Sequence, residues 1–142
     1  MERIEQLVSD FESGALPPSE FHHAQHLAVA LWYVTHYRWD EAVDRFRAGI
    51  MRYLGHHDVD PTKYHETVTL FWLHAVATFA ADENADAEIA AKSDRLVAAW
   101  GDAKAIRNYY STDLLDSAEA RATFVPPDLK PLPAPRACSG SR

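Results

Sequence analysis

Along most of this 142-residue chain apolar residues recur at three- and four-residue spacing. No alternating run flanked by Asn-Gly or Gly-rich turns interrupts them. The first pattern lays an apolar stripe along a helix, and without the second there is nothing to build hairpins from. The chain therefore reads as all-α. Its length suits one domain, and a hydrophobic content of 47% supplies a core. The expected architecture is a single-domain helical bundle of five or six helices over residues 1–128, followed by an extended or disordered proline-rich tail over residues 129–142.

Breakers and caps divide the chain. A first helix, about Glu2 to Phe11, places Ile4, Leu7, Val8 and Phe11 on one side and ends near Gly14. After the break at Pro17 and Pro18, Ser19 can cap a second helix running to about Tyr37, with Glu20 in its first turn, where the helix dipole favours negative charge. Asp40 can cap a third, about Glu41 to Leu54, whose stripe is Val43, Phe46, Ile50 and Leu54 and which Gly55 stops. Asp60 followed by Pro61 signals the start of a long fourth helix reaching about Ala80. Asn84 or Asp86 opens a fifth ending near Trp100 and Gly101, "DAKAIRNYY" a short sixth, and Ser111 or Thr112 caps one more turn. From Val125 onward the chain is proline-rich and then small and polar, so it should be extended.

The formal charge of −7 and a pI near 5.5 argue against a nucleic-acid partner, because the 14 basic residues are scattered. The start, "MERIEQLVSDFE", is charged and amphipathic, and no apolar run approaches the length of a membrane span. A cytoplasmic protein with no membrane partner is expected, and a homodimer is compatible with these features. Cys138 is the only cysteine, so neither an internal disulfide nor a cysteine-rich zinc site can form. Any metal must be held by His, Asp and Glu.

Three of the eight histidines fall in "FHHAQH", residues 21–26. At about 100° per residue, His22 and His26 lie about 40° apart on a helix and His23 and His26 about 60° apart, so either pair can face one ion. The zincin motif uses similar spacing but needs Glu directly after its first His, and here that residue is His23. A tight catalytic metal usually has three or four protein ligands, so another segment must contribute. "YHET", residues 64–67, offers the His65 imidazole and the Glu66 carboxylate. Both clusters sit near helix N-termini, so they meet only if the two helices run roughly parallel or cross steeply. His74 is about 180° around the helix from His65. With His36, His56 and His57 it reads as structural or solvated.

The segments "FHHAQHLAVALWYV", "RFRAGIMRY", "YHETVTLFWLHAV" and "IRNYYSTDLLDSAEARATFVPPD" resemble a largely uncharacterised bacterial family of small helical proteins. Its members share F-x-H-x-x-H, Y-H-E-T and a closing Y-Y-S … A-R … F-V-x-P-D pattern. The resemblance covers roughly residues 20–128. It implies that His23, His26, His65 and Glu66 matter most, and that His22 and His74 fall at positions where members differ. Members often carry an acid where this chain has Gln25, whose carbonyl can still accept a hydrogen bond without adding charge. The closing pattern is either packing that holds the C-terminal segment over the bundle or a lid in which Tyr109, Tyr110 or Arg121 meets a substrate, Arg by a bidentate clamp.

The leading functional expectation is a small metal-binding protein, leaning toward an enzyme acting on a small polar substrate. One divalent transition metal ion, zinc, iron or copper, is held by His23, His26 and His65. Glu66 serves as catalytic acid–base group or fourth ligand, and Trp72, Tyr109 and Arg121 contact the substrate. Zinc would activate water for hydrolysis, whereas iron or copper would activate dioxygen. The competing expectations are a metal-free pocket for a small ligand and an interaction protein whose histidines are structural.

Overall fold

The computed structural model describes residues 3–83 and 87–133. The described residues are helical with no strand, as expected. They form α1 (Arg3–Ser13), α2 (His23–His36), α3 (Trp39–His56), α4 (Glu66–Ala81), α5 (Ile89–Trp100), α6 (Thr112–Leu115) and α7 (Ala118–Ala122). Three short 3-10 helices join them, at Pro18–Glu20, Pro61–Lys63 and Ala103–Asn108. None of the described helices is long and apolar enough to cross a membrane.

Helix α2 sits at the centre. Leu27, Ala28, Val29, Ala30 and Leu31 are buried in succession, so the helix is enclosed on nearly every side, by α1, α3, α4 and α5. Around it the first core gathers Val8 and Phe11 from α1, Phe46 and Tyr53 from α3, Leu73 and Val76 from α4 and Leu96 from α5. Phe11 reaches α3 because Gly49 leaves room: a Cβ there would lie 2.8 Å from the Phe11 ring. A second core surrounds Phe71 with Ile106, Tyr109, Tyr110, Ala120 and Val125. Trp72 and Trp100 pack against both cores.

Two helices start later than the cap signals predict. The Pro17-Pro18 break yields a 3-10 turn over Pro18–Glu20, Phe21 leaves the helical region (φ −104°, ψ 72°), and α2 begins at His23 behind an extended His22. Likewise Asp60-Pro61 opens only the turn Pro61–Lys63, and α4 begins at Glu66. Its N-cap is His65, whose Nδ1 accepts the Val68 N–H at 3.2 Å, as a capping oxygen ordinarily would. Helix α3 runs through Gly55, which meets nothing within 4 Å where a Cβ would stand. The expected starts at Glu2, Asn84 and Asp86 lie outside the described residues, as does the tail beyond Pro133.

Candidate functional site

Helices α2 and α4 bring their N-terminal halves to one cavity of about 460 Å³. His23, His26, Leu27 and Ala30 line it from α2; Val68, Thr69 and Trp72 line it from α4, with Lys63, Tyr64 and His65 just ahead. Phe46, Ile50 and Leu54 of α3 form the opposite apolar wall. The α3 stripe is therefore split in use: Phe46 is buried in the core, while Ile50 and Leu54 remain half-buried along the cavity. The two histidine clusters thus share a cavity, although 39 residues separate His26 from His65.

Each histidine is held differently. His23 Nε2 donates to the Trp100 carbonyl at 3.0 Å, and its ring stands edge-on to Trp72 with centroids 4.5 Å apart. In the neutral ring this leaves Nδ1 as an acceptor. His26 stacks on Phe21 with centroids 3.8 Å apart and planes 9° from parallel. Its ring nitrogens make no hydrogen bond among the described residues. Burial, with a smaller contribution from nearby His23, pushes its pKa from 6.5 down to about 4. His65 is committed at both nitrogens: Nδ1 accepts from Val68, and Nε2 donates to the Leu115 carbonyl at 2.8 Å.

That commitment bears on the metal expectation. A metal on His65 would have to displace either the Val68 N–H or the Leu115 carbonyl. Among the described residues no group of three His, Cys, Asp or Glu side chains is placed to share an ion. Glu66 is also engaged. Arg47 grips it bidentately, through Nε at 3.1 Å and Nη2 at 2.5 Å, and the Tyr64 hydroxyl donates to its Oε1 at 2.5 Å. Burial would raise the Glu66 carboxyl, but the hydrogen bonds from Arg47 and Tyr64 outweigh it and hold the group below the usual carboxylate range. Burial and the bond to Glu66 together push the Tyr64 hydroxyl up to about 12. A carboxylate so paired is a fastening between α3 and α4, poorly suited to proton transfer.

Of the three expected substrate contacts, Trp72 lines the cavity. Tyr109 is buried against Phe71 and Trp100. Arg121 is exposed and donates to the Thr62 carbonyl at 3.3 Å. Neither lines the cavity. The closing segment is instead tied down by its own bonds. The Tyr110 hydroxyl donates to the Val125 carbonyl at 2.7 Å, and Asp128 accepts from both the N–H and the hydroxyl of Ser111. Those two bonds hold the Asp128 carboxyl below its ordinary range.

Of the remaining histidines, His56 is exposed, as expected, and His36 and His74 fit structural roles. His36 bonds the Trp32 carbonyl and His74 the Pro133 carbonyl. His57 departs from the solvated expectation: it tilts against the Tyr53 ring with its Nε2 buried. Gln25 accepts the His22 N–H at 3.0 Å, closing the first turn of α2, so its carbonyl works on the helix backbone.

Lowering the pH should weaken the fold through His26. Because its folded-state pKa lies below the unfolded value, the unfolded chain binds the extra proton first. Stability present above pH 6.5 is therefore lost as pH falls toward about 4. Urea midpoints measured across that window should decline for the native sequence and decline less for His26→Gln. Equal slopes would show that the imidazole is not held neutral.

No family model, no curated protein and no solved structure matches the chain.

Proposed function

We propose that this protein binds a small, largely apolar molecule in the cavity between α2, α3 and α4, without a metal ion, and that His23 and His26 hold its polar end. The supporting observation is His26: a neutral imidazole whose ring nitrogens make no hydrogen bond among the described residues, on the wall of an otherwise mostly apolar cavity. Such a pocket, apolar with few polar groups, is the usual form of a small-molecule site. A base with a pKa near 4 abstracts protons poorly at neutral pH, and Glu66 is occupied by Arg47. Binding is therefore favoured over acid–base catalysis.

The test is a small-molecule screen by thermal shift on untagged protein, with and without chelator. Hits should stabilise the native sequence equally in both conditions. They should fail on Ile50→Trp, which places a bulky ring in the cavity, and persist on Glu66→Gln, which lies outside it. Stabilisation by zinc, copper or ferrous ions that chelator abolishes would replace this reading with the metal-dependent one.

A further inference from the structure

The polar groups of the cavity are unequal in charge. Among the described residues none that lines it carries a carboxylate, whereas Lys63 places an ammonium on its rim. This is notable in a chain of net charge −7. Lys63 is exposed and makes no ion pair within 4 Å among the described residues. Asp60 is near enough to feel its charge, but that carboxylate accepts the Thr62 N–H at 2.9 Å and does not line the cavity. Glu66, next in sequence to the lining residue His65, is paired with Arg47.

The other polar groups narrow the choice further. His65 has no free nitrogen, and the Tyr64 proton goes to Glu66. What remains for a ligand is the Lys63 ammonium, the one N–H and one lone pair of neutral His26, the His23 Nδ1 lone pair and the oxygen of the Thr69 hydroxyl, which bonds Tyr64. Leu27, Phe46, Ile50, Val68 and Trp72 supply the apolar contact.

Resting on the pocket reading above, we propose that the ligand is a monocarboxylate with an apolar body, its head group accepting from Lys63 and from the His26 ring N–H. A cationic head would face Lys63 with no carboxylate among the described lining residues to pair with. An uncharged head would leave the ammonium unpaired.

Octanoate, octanol and octylamine share one body and differ in the head, so titration calorimetry of all three against the full chain tests the assignment. Octanoate should bind tightest. Because Lys63 is solvent-exposed, its advantage over octanol should be about fivefold, and Lys63→Gln should narrow that gap. Ile50→Trp should abolish the binding. Octanol binding as well as octanoate, octylamine binding tighter, or an octanoate preference unchanged in Lys63→Gln would overturn the carboxylate assignment and leave the pocket standing. Absence of binding by all three would overturn both.

Discussion

Phe71→Ala is expected to destabilise the fold by about 3–5 kcal/mol. The ring is fully enclosed and meets four others: Trp72 and Tyr109 at 5.1 Å, Tyr110 at 6.0 Å and Trp100 at 6.4 Å between centroids. Truncation removes the buried area and leaves a space that rings of this size cannot collapse into. Set against the roughly 5–15 kcal/mol that holds a domain together, this is a large share. The damage should also be directional. Phe71 is the part of α4 against which the second core is built, so the Tyr109–Val125 region should loosen before the α1–α3 side. Urea denaturation gives the total, and amide exchange gives the direction. An unchanged midpoint, or equal loosening of both cores, would contradict this account.

The helical class was legible because both buried helices are long apolar runs and α1 and α3 carry clear stripes. The helix starts were less so. Ser19 and Asp60 are good capping residues, but Ser19 lies inside the 3-10 turn that Pro18 opens, Asp60 precedes the one that Pro61 opens, and the N-caps of α2 and α4 are the extended His22 and His65. An imidazole caps rarely enough that composition rules pass over it, although its Nδ1 lone pair does the same work at His65.

The candidate site shows the same division. Helix spacing grouped His23 with His26, and all three chosen histidines do line one cavity. What spacing could not reveal is how the lone pairs are used, because the partner of His65 Nε2 is a carbonyl 50 residues away. Lys63 was missed for a related reason. A lone lysine after a proline turn carries no pattern, and its bearing on the proposed ligand comes from the absence of carboxylates among the described residues that line the cavity.

These contacts change what Tyr64-His65-Glu66-Thr67 signifies. Tyr64 and Glu66 fasten the start of α4 to Arg47 of α3, and His65 fastens it to Leu115. Thr67 does the same for the C-terminal segment: its hydroxyl donates to the Thr123 carbonyl at 3.0 Å and accepts the Val125 N–H at 3.1 Å. The four side chains form one strip of anchors, and the cavity is shaped beside it.

Thr67→Val isolates one anchor, since valine keeps the volume and deletes both bonds. Thr67 is wholly buried and Val125 nearly so, so the Val125 N–H loses its partner with little access to water. At about 1–3 kcal/mol for the buried Val125 N–H left unpaired and about 1 kcal/mol for the bond to the exposed Thr123, the two losses predict about 2–4 kcal/mol. Thr67→Ser should keep both bonds and lose only a methyl group, at about 1 kcal/mol. A valine variant as stable as the serine variant would mean that the hydroxyl bridge contributes nothing. The expected ordering, with protease sensitivity rising near Thr123 in the valine variant alone, would place the function of this threonine in holding the closing segment against α4.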